Sequence, residues 1–367
     1  MMQLYALRRC VLLAFLLLLT SFSCDKGDAI IVPEQGFDWP DNERPYWPTT
    51  GWESAFPESK GIDLQKLNVA HDFAQNDELM RALLVVKEGY LVDEKYYREG
   101  GPDASTNLWS VTKSVASAVL GIAKEEGAFS STDQLMGELL PDYPEFNDIS
   151  LHHALTHTTG LHWNEEGPGW VAWVFSDDWV AAALERGQNH PAGKRFYYSS
   201  GNSQFLTALI YYRTGQGPGI LAKEKLFDPM GIDFNPLSTP HDYTTWNDYM
   251  IPLPQSWQQS PRGIEIGGFG LFLTARDMAK IGYLYLNQGR WEDRYLINPD
   301  WIKKSLKDHE TNIYGQYSYG YHWWLTNLAG EAAFLASGFG GQIIGVVPAL
   351  DLVVVLKYEA ENPRHPK

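Results

Sequence analysis

Residues 342–357, QIIGVVPALDLVVVLK, read as two apolar strands joined by a turn at Pro348. At the other end of the chain, residues 82–98, ALLVVKEGYLVDEKYYR, show the same shape. An apolar run meets Glu88-Gly89, and an alternating run follows. Between these ends, residues 109–126, WSVTKSVASAVLGIAKEE, have helical spacing. Val111, Val115, Val119 and Ile122 share one stripe, and Gly127 stands at the stop position. Residues 275–287, ARDMAKIGYLYLN, give a second helix closed by Gly289. The stretch from about 130 to 260 is rich in helices and loops and lacks clear strands. The expected fold class is therefore α+β: an antiparallel sheet flanked by helices and built from both chain ends, with an inserted all-α domain. The expected boundaries are 52–127 and 261–367 for the α/β sandwich and 128–260 for the mostly helical part.

The 367 residues are 44% apolar and 20% charged, which suits a folded globular protein of about two domains and excludes a largely disordered one. The formal charge of −16 disfavours nucleic acid and anionic lipid surfaces as partners, because both require a basic face. Fourteen tryptophans serve core packing or line a pocket for an apolar or amide-rich ligand. The only cysteines, Cys10 and Cys24, leave no internal disulfide or cysteine-based zinc site beyond them. Arg8-Arg9, the apolar run Val11–Leu19 and Ser21-Phe22-Ser23 have the three-part form of an export signal over residues 1–23. Cys24 directly after it resembles the lipid-acceptor cysteine of bacterial lipoproteins. This implies export, a lipid anchor as the one membrane contact, and a tether over 24–51 at the periplasmic face or cell surface.

Four clusters carry possible chemistry. In Ser110-Val-Thr-Lys113 a helix brings the lysine amine within reach of the serine hydroxyl. Serine needs a base to become a nucleophile, and lysine is one when burial lowers its pKa. The chain holds a second such spacing, Ser23–Lys26, so the motif alone does not decide. His152, His153, His157 and His162 include one i,i+4 pair, but Ala154 occupies the place where a zincin needs Glu, which favours a structural role; no metal is expected. The segment 191–200, PAGKRFYYSS, offers a tyrosine that could shuttle a proton or simply pack. Gly267-Gly-Phe-Gly270 and Ser337-Gly-Phe-Gly-Gly-Gln342 lack phosphate-loop spacing and suit close packing or a strand edge near substrate.

Taken together, SVTK at 110–113, LTHTTGL at 155–161, PAGKRFYYSSGN at 191–202, GGFGLFLTARDMAKIG at 267–282, YGYHWW at 319–324 and ASGFGGQ at 336–342 resemble the serine β-lactamase and penicillin-binding-protein superfamily. The nearest branch is the class C-like esterases and 6-aminohexanoate-dimer hydrolases. The resemblance covers about residues 52–358. It implies a hydrolase without a cofactor, acting on a small-molecule ester or amide. Ser110 would be the nucleophile, Lys113 its base and Tyr198 the relay residue, with Phe196 setting the register against Tyr197. Backbone N–H groups of Ser110 and Phe339 would form the oxyanion hole. Ser200, Asn202, Ser337 and Gly338 would contact substrate. Two departures stand out. The family's Y-x-N asparagine falls on Ser200, and its K-T-G lysine falls on Ala336. Both losses weigh against β-lactam and D-Ala-D-Ala substrates, unless His322 or Arg262 supplies the missing charge.

Overall fold

The computed structural model describes residues 36–40, 43–236, 245, 248–249, 251, 253–328 and 330–359. The expected export signal over residues 1–23 and Cys24 lie outside the described residues. The strands are β1 Met80–Lys87, β2 Tyr90–Tyr96, β3 Thr106–Asn107, β4 Ser256–Trp257, β5 Leu271–Leu273, β6 Arg290–Trp291, β7 Arg294–Tyr295, β8 Glu310–Ile313, β9 Tyr317–Tyr319, β10 Trp324–Leu328, β11 Glu331–Ser337, β12 Ile343–Val347 and β13 Leu352–Tyr358. The helices are α1 Leu64–Asn76, α2 Val111–Glu125, α3 Met136–Leu139, α4 Leu151–Leu155, α5 Pro168–Val174, α6 Trp179–Leu184, α7 Ser200–Thr214, α8 Pro218–Ala222, α9 Ala275–Leu286 and α10 Pro299–Ser305.

An eight-stranded antiparallel sheet runs in the order β2-β1-β13-β12-β11-β10-β9-β8. Its centre joins both ends of the chain, with Val85 opposite Val354. The apolar runs are continuous because both sheet faces are covered. Ala82, Leu84, Val86, Val353 and Val355 enter the core shared with α2 and α9. Leu83, Val85, Val354 and Leu356 face the other way, onto Leu67, Ala70 and Ala74 of α1. The β1–β2 turn has Glu88 at φ 54° and Gly89 at φ 83°, the left-handed pair that a tight hairpin demands.

Three features depart from expectation. Strands β8–β11 extend the sheet through 310–337, a part of the expected sandwich in which the sequence suggests a strand only at the Ser337 edge. Between 128 and 231 the regular elements are helical, but Ser256–Trp257 pairs with β5, which also pairs with β3. The expected helical stretch therefore ends before residue 260. The tether assignment also needs correction, because from Phe37 onward the segment packs on the fold. Phe37 meets Phe334 edge to face at 5.3 Å, and Trp47 contacts Tyr283 and Trp291. Arg44 makes a bidentate pair with Asp351 at 2.6 and 2.8 Å. These aromatics bury enough apolar surface to hold a proline-rich segment in place.

Candidate active site

Ser110 stands at the start of α2, just after β3. The Asn107 side chain shapes the turn between them, accepting from Trp109 N at 2.9 Å and Gly270 N at 3.0 Å. Trp109 takes φ 50°, a left-handed conformation uncommon for a bulky residue and characteristic of functional turns. The turn leaves Ser110 half-buried at the helix start, where free N–H groups favour negative charge.

One turn on, Lys113 is 1% exposed. Its Nζ lies 3.0 Å from Ser110 Oγ, 3.0 Å from Ser200 Oγ and 2.9 Å from the Gly268 carbonyl oxygen. Gly268 reaches this close because it has no side chain: a Cβ there would stand 2.8 Å from Ser200 Oγ. Burial pulls the Lys113 ammonium down from 10.5 to about 8, and the nearby Glu165 carboxylate opposes that shift.

Tyr198 covers the amine, with Nζ 4.9 Å from its ring centre. Burial raises its phenol above the ordinary tyrosine range, while a hydrogen bond with Ser110 pulls the other way. The neighbouring Tyr197 is exposed, so Tyr198 is the tyrosine placed at the Ser–Lys pair. Its ring is wedged between Trp324, stacked at 5.6 Å, and His157 at 4.8 Å. His157 in turn stacks on His322 at 4.5 Å. Burial keeps both imidazoles neutral, His157 well below the usual range and His322 at about 3. The other histidines of that motif go elsewhere. His153 Nδ1 accepts from Ser150 N in a helix capping box, His152 Nδ1 bonds Tyr321 OH, and His162 is exposed. Arg262 pairs with Asp178 and His322 lies buried beneath His157, so neither is placed as a replacement cation.

The C-terminal end of β11 closes the site. A Cβ on Gly338 would stand 2.3 Å from the Leu108 carbonyl oxygen and 3.2 Å from Ser110 N, so only glycine allows this approach. Phe339 follows, 45% exposed, with its ring against Trp109 at 5.3 Å. Neither Ser110 N–H nor Phe339 N–H donates to a protein acceptor among the described residues. Ser337 is half-buried at the end of β11. Trp109, Phe269 and Trp170 make an aromatic wall, with ring centres 6.2 and 6.1 Å apart.

Two assigned residues have positions the sequence did not foretell. Ser200, only 3% exposed, faces Lys113 and donates to Glu165 Oε2 at 2.9 Å. Asn202 is buried and accepts from Thr159 Oγ1 at 3.0 Å, tying a loop to α7. Glu165 itself was missed. Its other oxygen accepts from Ser200 N and, at 2.9 Å, from Trp163 Nε1. In sequence it belongs to Asn-Glu-Glu, which reads as a solvated acidic turn, and only the fold brings it to the start of α7.

Residues 74–364 match the Beta-lactamase family. The chain belongs to the beta-lactamase family. Among curated relatives, the 6-aminohexanoate-dimer hydrolase of Paenarthrobacter ureafaciens is 24% identical over 306 residues, covering 76% of this chain and 72% of that protein. Among solved structures, the octameric penicillin-binding protein homologue from Pyrococcus abyssi is similar at TM-score 0.64 and 20% identity, covering 82% and 74% of the two chains. A D-stereospecific amidohydrolase from Streptomyces is similar at TM-score 0.59 and 17% identity, covering 78% and 91%. This beta-lactamase-family protein is accordingly a serine hydrolase.

Proposed function

We propose that this beta-lactamase-family hydrolase cleaves small or linear esters and amides through an acyl-enzyme on Ser110. Lys113 takes the Ser110 proton as Oγ bonds the substrate carbonyl carbon and the carbonyl π pair moves onto oxygen. The N–H groups of Ser110 and Phe339 receive that oxyanion. The bond to the leaving group then breaks, with the leaving atom taking a proton relayed from Lys113 through Tyr198. Water, activated by the same base, releases the acid. The observation that carries this reading is the Lys113 amine held 3.0 Å from Ser110 Oγ and lowered by burial to about 8.

The substrate class rests on Ala336 and Ser200. A charge-assisted hydrogen bond contributes roughly 1.5–3 kcal/mol, or about 10- to 150-fold in rate if expressed in the transition state. Ala336 supplies none of it, and Ser200 directs its hydroxyl to Glu165. Simple esters and linear amides need neither contact. The names of two similar proteins, a dimer hydrolase and an amidohydrolase, favour the same class. The test is kcat/KM for p-nitrophenyl butyrate, a linear amide and nitrocefin on one preparation. The ester or the amide should exceed nitrocefin by at least about 10-fold; nitrocefin equal to or above both contradicts the proposed class.

A further inference from the structure

Among the described residues, three groups lie within hydrogen-bond distance of the Lys113 amine, and they do not offer it equivalent hydrogen bonds. The Gly268 carbonyl can only accept. Ser200 has one hydroxyl hydrogen, and its Oγ donates it to Glu165 Oε2, 2.9 Å away. Ser200 Oγ therefore accepts from Lys113 as well. A neutral amine has two hydrogens and one lone pair. With both hydrogens placed on Gly268 and Ser200, the lone pair is left facing the third neighbour, Ser110 Oγ at 3.0 Å. We propose that Glu165 is a positioning residue for the base: by fixing the direction of the Ser200 hydroxyl, it aims the free Lys113 lone pair at Ser110.

This rests on the role given to Lys113 above. The carboxylate is suited to the task because every hydrogen bond made to it among the described residues comes from a donor: Ser200 N, Ser200 Oγ and Trp163 Nε1. A glutamine of the same shape has one acceptor oxygen. With that oxygen on Ser200 N and Trp163, its amide nitrogen would face Ser200 Oγ and donate to it. The Ser200 hydrogen would then turn toward Lys113 and compete with Ser110 for the lone pair.

The test is the second-order rate at which a fluorophosphonate modifies Ser110, followed by intact mass, which needs no knowledge of the substrate. Glu165→Gln should slow it by about 10- to 100-fold at its plateau. In a Ser200→Ala background, where no hydroxyl can turn, Glu165→Gln should change the rate by less than about twofold. The pH midpoint supplies a readout that loss of packing alone does not move. The groups facing the amine are Glu165 through Ser200, the neutral Tyr198 phenol, and the neutral His157 and His322. Removing the Glu165 charge takes away an electrostatic attraction that favours the ammonium, so the rising limb near pH 8 should move to lower pH. If the Gln variant folds poorly, Glu165→Ala, which also frees the Ser200 hydrogen, carries the same expectations. A plateau rate within twofold of wild type, equal losses in both backgrounds, or an unmoved midpoint overturns the inference. An unreactive Ser110 in the wild-type protein would instead overturn the nucleophile reading on which it rests.

Discussion

At the scale of single residues, the proposed mechanism turns on a lysine that can give up its proton. An ordinary lysine ammonium is almost wholly protonated at neutral pH, and burial brings Lys113 down to about 8. In the proposed mechanism the neutral amine is the working form, so kcat/KM should rise with pH through about 8 and level off above it. Lys113→Arg keeps the charge and removes the base, because guanidinium stays protonated. It should lower kcat/KM by about 10³-fold or more, with Tyr198→Phe losing somewhat less. A Lys113→Arg rate near wild type rules out this base. The stacked His157 and His322 remain neutral under Tyr198, so they pack its ring without adding a competing charge.

At the scale of elements, close approach sets the geometry. Helix α9 lies on the sheet through Gly282, where a Cβ would stand 2.6 Å from Val353 Cγ1 and 2.8 Å from Ile344 Cγ2. Glycine to alanine inside a helix normally stabilises by about 1 kcal/mol, while forcing atoms into a packed core costs about 1–3 kcal/mol. With two β-branched side chains fixed in the sheet, packing outweighs propensity, and Gly282→Ala should lower the stability measured by urea unfolding. An increase would show that the sheet yields more readily than these distances imply. The central strands and the helices at 111–125 and 275–286 were legible in the sequence because their apolar periods are long and end in glycine. Strands β8–β11 were not. They span three to seven residues of mixed aromatic, small and polar character, too short or irregular for a period to emerge. The Ser110–Lys113 contact could be read from helical spacing, and Tyr198 from its register in the motif. Glu165 is 52 residues beyond Lys113, and no local pattern joins them.

At the scale of the whole molecule, β1 and β13, far apart in sequence, meet in one sheet, and the helical stretch between them carries Tyr198, Ser200 and Glu165 to Ser110 and Lys113. The site is thus assembled from parts far apart in sequence, and its order depends on the full fold. We also propose that the protein is exported and lipidated at Cys24, the one cysteine beyond the export signal. Labelled palmitate should be incorporated and Cys24→Ala should release soluble protein; absence of label with an unchanged membrane fraction contradicts this. The central claim, that Ser110 is the acylated nucleophile, is tested most directly by intact-mass and peptide mapping after fluorophosphonate treatment. The account predicts one adduct, on the peptide carrying Ser110, and neither adduct nor turnover in a folded Ser110→Ala variant. An adduct on another residue, or full activity in Ser110→Ala, would contradict it.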